Sequence, residues 1–232
     1  MVKTLVFIHG WASTPDVWQG QRDYFAGNYE VILPDISRAE DIKEAGGIVY
    51  NAVWDKKDFV LLGWSLGWLA VLELLQNFDL KPKGLVAVNS IPKFCTKDYL
   101  GTGPTQTHLA KMLKDCKRNP RKTFEDFYKS ILSGAGKSAL SDIRFENLTY
   151  DKLIYGLRML KSCDYRDFIQ KIAVPTLIIA GSKDKIIPLQ ASEYMHKRIK
   201  GSLLKVLDCG HMPFCDKADE FNAMLENFVK GL

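Results

Sequence analysis

The sequence predicts an α/β fold: a mostly parallel central sheet flanked by helices, with a helical segment inserted after the fourth strand. Two observations predict it. Apolar, strand-like runs alternate with helical stretches along most of the chain, which is the pattern of a parallel sheet. The residues able to carry chemistry recur just after those runs, where open α/β sheets place their sites.

The elements follow in order. Val2-Lys-Thr-Leu-Val-Phe-Ile8 is the first strand, and a helix covers 15–26. A strand near 29–33 leads to a helix over 40–54 and then to a strand at 58–63. A helix at 66–78 and a strand at 84–89 complete the first half. Between Ser90 and Lys171 the rhythm breaks, with no convincing core strand but helical stretches at 105–118, 121–132, 137–144 and 150–162. The alternation resumes with a strand at 174–180, a helix at 190–200, a strand at 203–207 and a helix at 217–230. This divides the chain into a core of 1–90 and 171–232 and a helical insertion, 91–170, expected to lie over the carboxyl edge of the sheet as a lid.

The most informative run is Phe59-Val-Leu-Leu-Gly63-Trp64-Ser65-Leu66-Gly67-Trp68-Leu-Ala-Val-Leu72. A β-rich apolar stretch enters Gly-x-Ser-x-Gly and leaves as a helix-forming segment, which is the setting of a nucleophile elbow. In so tight a turn a side chain at either glycine would collide with the strand or the helix, and the serine at the tip is exposed on strained backbone. Gly-x-Ser-x-Gly alone is a short pattern that also describes an ordinary βα turn; the strand before it and the helix after it favour catalysis.

The partners of Ser65 are expected downstream, in the order nucleophile, acid, histidine. Asp184 follows the strand ending at Gly181, and Asp208 and His211 follow the strand ending at Leu207. Of the four histidines, His196 lies in a Lys/Arg-rich helical stretch, His108 opens an amphipathic helix and His9 braces the loop before Gly10. His211 is the base by position. Asp184 is preferred to Asp208 as the acid, because three residues before the base an aspartate is poorly placed to reach it. Ser65 then attacks an acyl carbonyl, His211 takes its proton, and Asp184 fixes the imidazole tautomer. The oxyanion needs two N–H donors. Leu66, at the start of the helix, and Trp11, in the loop after the first strand, are the expected ones.

Composition bounds the remaining possibilities. The 232 residues suit one domain with an insertion. No apolar run approaches the roughly 18 residues of a membrane span, and the amino-terminal apolar stretch reads as a core strand rather than a signal peptide. Five cysteines without CxxC spacing fit a reducing, cytoplasmic setting. Cys209 and Cys215 flank His211 without a further Cys/His partner, so they read as packing residues, and neither a metal nor a cofactor is expected. Between residues 92 and 164 there are 14 Lys/Arg against 8 Asp/Glu, while the whole chain carries only +5. That excess at a pocket mouth suits an acidic partner. Nucleic acid is not indicated, since no stacking platform accompanies the lysines. The lid helices are amphipathic, which leaves contact with an anionic membrane surface open but calls for no stable association.

The chain resembles the pimeloyl-acyl-carrier-protein methyl ester esterases of biotin synthesis, a group of α/β-hydrolases. The resemblance rests on His9-Gly10-Trp11 with Trp18 following, Leu62-Gly-Trp-Ser-Leu-Gly67, Gly181-Ser-Lys-Asp184 with Pro188, and Gly210-His-Met-Pro-Phe214. Ile91-Pro-Lys-Phe94 and Thr123-Phe-Glu-Asp-Phe127 extend it loosely into the insertion. It implies hydrolysis of a pimeloyl methyl ester held on acyl-carrier protein. It also implies that Trp11, Trp64, Leu66 and His211 line the acyl site, that Phe127, Tyr128, Lys129, Ser130 and Ile131 contact the extended chain, and that Lys122 and Arg144 meet the acidic carrier. Two departures stand out. Trp68 replaces a second glycine found in many relatives, and the chain reaches the His-Gly strand without the amino-terminal strands common in the fold, which leaves one edge of the core without the usual hairpin. A general short-chain carboxylesterase or a thioesterase, either without a carrier-protein partner, and a ligand-binding protein that retains the triad are the rival readings.

Overall fold

The computed structural model describes residues 1–132 and 148–232. Six strands form one sheet: β1 (Thr4–Ile8), β2 (Glu30–Ile32), β3 (Phe59–Trp64), β4 (Gly84–Val88), β5 (Thr176–Gly181) and β6 (Leu203–Leu207). Their order is β2-β1-β3-β4-β5-β6, and every neighbouring pair is parallel. The four inner strands are buried along their whole length, as continuous apolar runs covered on both faces require. β2 and β6 are the edges and are partly exposed.

Helices α1 (Gln19–Phe25), α2 (Ile42–Val53) and α3 (Leu66–Asn77) connect the first four strands. Between β4 and β5 lie α4 (Lys97–Leu100), α5 (Gln106–Arg118), α6 (Pro120–Ile131) and α7 (Tyr150–Ser162). The chain closes with α8 (Leu189–His196), α9 (Pro213–Asp216) and α10 (Ala218–Lys230). The insertion helices start where the sequence supplies caps: the side chains of Thr105, Asn119 and Thr149 accept from the amides of His108, Lys122 and Lys152, satisfying donors that would otherwise be orphaned.

The sequence-based boundaries differ in a few places. The helix expected over 15–26 opens as a 3-10 turn, Pro15–Trp18, because Trp18 (φ −97°, ψ 9°) leaves the helical region before α1 begins. The helix expected over 217–230 is preceded by the short α9, from which Lys217 (φ −139°) separates it. The α8 helix stops at His196, short of residue 200, and α4 was not foreseen. The stretch predicted helical at 137–144, Arg144 included, lies outside the described residues.

Three tryptophans, Trp18, Trp64 and Trp68, are fully buried. Trp18 packs against Phe214 at 4.1 Å and Phe7 at 5.3 Å between ring centroids, joining the loop after β6 to β1. All residues of α3 from Leu66 to Leu74 are buried, so the helix behind Ser65 is a core element with no solvent face over its first turns. Because every strand is parallel, the loops after β1, β3, β4, β5 and β6 emerge on one edge of the sheet. That edge carries the site.

Candidate active site

Ser65 stands between β3 and α3 at φ 53° and ψ −117°, in the left-handed half of the map that a non-glycine residue seldom occupies. Its amide donates to the Val88 carbonyl at 3.0 Å, which anchors the turn to β4. A Cβ on Gly63 would lie 2.5 Å from Trp68 Cα and 2.6 Å from its nitrogen. One on Gly67 would strike the Ile8 carbonyl oxygen and lie 2.6 Å from that of His9. Both obstacles are backbone and cannot swing aside, so glycine is required at both positions. Trp68 is wholly buried, and its Cα is part of the wall that confines Gly63.

Asp184, just beyond β5, accepts at Oδ1 from the amides of Ile186 (2.7 Å) and Ile187 (3.0 Å). Its Oδ2 lies 2.6 Å from His211 Nδ1, and neither side chain is exposed. His211 Nε2 is buried and has no hydrogen-bond partner among the described residues. Asp208 instead faces solvent, held by Ser182 Oγ at 3.2 Å and Lys183 Nζ at 2.8 Å. The hydrogen bond from Lys183, then that from Ser182, lowers its pKa.

The backbone around His211 is clamped from several sides. Trp64 Nε1 donates to the His211 carbonyl at 2.9 Å, and its ring lies 5.5 Å from the imidazole. Asn89, immediately after β4, donates from Nδ2 to the Gly210 carbonyl at 2.9 Å and accepts at Oδ1 from the Gly181 amide at 2.7 Å. Asp216 Oδ2 accepts from the Gly210 amide at 3.0 Å; burial raises the pKa of this carboxyl against the lowering effect of that bond. Burial also pushes the neighbouring Cys209 thiol up to about 12, with the Asp216, Asp184 and Asp208 carboxylates acting in the same direction. The five cysteines form no disulfide, and no His/Cys/Asp/Glu group that could hold a metal occurs among the described residues.

In the loop after β1, His9 is buried; its Nδ1 donates to the Gly10 carbonyl at 2.9 Å and its Nε2 lies 3.4 Å from Asp35 Oδ1. Half-burial pushes the Asp35 carboxyl up, but the nearby His9 ring and the hydrogen bonds from Ser37 outweigh it and hold the group well below the usual carboxylate range. Trp11 follows, its indole donating to the Leu153 carbonyl at 2.9 Å and packing edge-on to Phe127 at 4.7 Å. The Leu66 amide is the first of α3 and so lacks an intrahelical partner.

A cavity of about 1100 Å³ opens beside Ser65, walled by Trp11, Phe127, Ser130, Leu160 and Asp184 and extending between α5 and α6 to Lys122. Of the residues expected to line an acyl site, Trp11, Phe127 and Ser130 face this cavity, and Leu66 faces a small void behind it. Trp64, Tyr128, Lys129, Ile131 and His211 are not among its lining residues. Tyr128 and Ile131 are turned into the core, and Lys129 into solvent, because consecutive positions of α6 point about 100° apart whereas positions three apart share a face. Lys122 is two-thirds exposed and paired with Asp126 at 2.9 Å.

Sequence reading missed Asn89, Asp216 and the structural use of Trp64. A signal existed for Asn89: an asparagine at a strand end is a residue type enriched in the left-handed region, and it stands just after β4 at φ 39°.

The fold has close counterparts among known proteins. The model of the alpha/beta hydrolase family matches residues 5–224. A pimeloyl-[acyl-carrier protein] methyl ester esterase from Aromatoleum aromaticum is 26% identical over 249 aligned positions, covering 98% of each chain. An esterase from Exiguobacterium antarcticum superposes with a TM-score of 0.90 at 23% identity, covering 98% of this chain and 92% of that one. A bromoperoxidase from Bacillus anthracis superposes equally well, with a TM-score of 0.90 at 18% identity over 99% of this chain and 92% of that one, so such likeness speaks for the fold alone. With a family match spanning nearly its whole length, the chain belongs to the alpha/beta hydrolase family.

Proposed function

We propose that the protein is a serine esterase in which Ser65, His211 and Asp184 form the catalytic triad. That it is a carboxylic ester hydrolase follows from its family and the esterase names of its relatives. The observation that carries the residue assignment is the buried Asp184–His211 pair at 2.6 Å, set beside a serine held at φ 53° on the strand–helix turn. A carboxylate on Nδ1 leaves the imidazole proton there and frees Nε2 as the base. Ser65 Oγ gives its proton to Nε2 and attacks the ester carbonyl, and the Leu66 and Trp11 amides receive the oxyanion. The imidazolium then protonates the leaving alcohol, and water hydrolyses the acyl-enzyme by the same route. In this reading the insertion serves as a lid, with Trp11, Phe127 and Ser130 along the acyl path.

The substrate we favour is the methyl ester of a pimeloyl chain on acyl-carrier protein, as the name of the Aromatoleum relative suggests. The basic excess of 92–164 and a cavity running from Ser65 out to Lys122 support it. One observation favours the second reading, a general short-chain carboxylesterase or a thioesterase without a carrier-protein partner. Lys111 and Lys122 are each paired with an aspartate four residues on, so part of the lid charge is already answered within its own helices. Methanol release from the carrier-bound methyl ester, measured beside hydrolysis of p-nitrophenyl acetate and butyrate, decides between them. Much faster turnover of the carrier-bound ester is the expected result; equal or slower turnover replaces it with the general esterase.

A further inference from the structure

Ala12 sits at φ 56°, in the left-handed region where a Cβ crowds the following carbonyl. It is buried, directly after Trp11. A conformation of this kind persists only where the surroundings over-determine it. Here α6 supplies the surroundings: the Tyr128 hydroxyl donates to the Ala12 carbonyl at 2.9 Å. The ring of Tyr128 is only 1% exposed and packs against Phe124 and Phe127, so that hydroxyl has a fixed position. A second tie joins the same loop to α7, from Trp11 Nε1 to the Leu153 carbonyl. Both ties come from the insertion, 116 and 142 residues away along the chain.

We propose that Tyr128 is a positioning residue: its hydroxyl holds Ala12 left-handed and thereby fixes the Trp11 amide as the second oxyanion donor. Helix α6 is then part of the catalytic geometry as well as the cover of the cavity. The inference rests on the serine-esterase reading, because only an acyl-transfer site gives that loop an oxyanion to bind. It also assigns Tyr128 a role other than contact with the substrate chain, in keeping with its absence from the cavity wall.

The test is Tyr128→Phe, which removes one oxygen and keeps the ring, with Ala12→Gly added in the same background. Loosening a donor costs less than deleting one, so kcat on p-nitrophenyl butyrate should fall roughly tenfold with KM within about twofold of the parent. Amide hydrogen exchange across residues 9–13 should quicken on the order of tenfold while β1 and β3 keep their protection. Glycine adopts φ 56° without strain, so the double variant should regain most of the lost kcat. Unchanged kcat and unchanged exchange in Tyr128→Phe would overturn the proposal, as would a rise in KM alone, which would return Tyr128 to the substrate path. Tyr128→Leu, also without the hydroxyl, takes its place if the Phe variant does not accumulate. Turnover surviving in Ser65→Ala would remove the esterase reading itself, whereas the exchange result reports on the loop whatever the chemistry.

Discussion

Asn89 and Gly210 are joined by a buried hydrogen bond, Nδ2 to carbonyl oxygen at 2.9 Å, while the same side chain receives the Gly181 amide at 2.7 Å. One residue after β4 thus links the end of β5, which leads to Asp184, with the loop that carries His211. Replacing it with alanine strands a buried carbonyl and a buried amide, each costing about 1–3 kcal/mol. Asn89→Ala should therefore unfold at clearly lower urea, by about 3 kcal/mol, and should lose kcat more than KM as His211 drifts. A melt within experimental error of the parent would show that the clamp is dispensable.

Ser65 Oγ has no hydrogen bond that the fold needs, so Ser65→Ala should melt like the parent while ester turnover falls by more than about 10⁴-fold. Asp184→Asn keeps the size of the side chain but loses the carboxylate that orients His211, and a drop of about 10⁴ in kcat is expected. Initial-rate assays beside thermal melts check both. Retained turnover in either would reassign the triad.

Gly63→Ala should fail for a steric reason. Its Cβ would sit 2.5 Å from Trp68 Cα, in a helix whose residues are all buried from Leu66 to Leu74. A loss of about 3 kcal/mol or more is expected, read as insoluble expression or a large fall in melting temperature.

The Cys209 thiol, pushed from 9.0 up to about 12 by burial, sets a pH limit. A folded pKa above the unfolded one means that the group's contribution to stability is complete below pH 9 and is lost as pH rises toward 12. Replacing Cys209 with serine should therefore flatten the alkaline arm of the stability profile. The native thiol should also resist alkylation at pH 8 until the protein unfolds, which mass spectrometry of iodoacetamide-treated protein can read.

Lys122→Glu places a like charge four residues before Asp126, a helix cost of only about 0.5 kcal/mol. If the insertion docks an acidic carrier, this variant should raise KM for a carrier-bound ester several-fold and leave p-nitrophenyl esters unchanged. Equal effects on both substrates would remove the docking role.

Sequence pattern was sufficient wherever the cause was local. Largely apolar runs marked all six strands, and Gly63 and Gly67 announced a turn whose steric need is met by backbone atoms of α3 and β1. Asp184 and His211 were legible because parallel strands deliver their following loops to one edge. What remained hidden depends on partners far away in sequence. Nothing near Asn89 announces Gly210, 121 residues on, and nothing near Tyr128 announces Ala12. On α6, five consecutive residues were assigned to one substrate path, although a helix turns about 100° per residue and sends them to different surroundings. Accordingly Phe127 and Ser130 face the cavity and Tyr128 does not.

The pairing of β4 with β5 also has a consequence for how the chain reaches this state. Leu85 and Thr176 are register partners, yet the whole insertion separates their strands, the 87 residues from 89 to 175. Closing a loop of that length costs about 4 kcal/mol of chain entropy, a cost incurred before a single β4–β5 contact returns it. Helices α5, α6 and α7 form from local contacts and need not wait for the sheet, whereas β5 and β6 must search for an edge that β4 already presents. Assembly is thus set by late docking of the carboxyl-terminal quarter, and the parts that hold Ser65 and the Asp184–His211 pair meet in that step. Catalytic competence should arrive last in refolding, together with the final protection of β5.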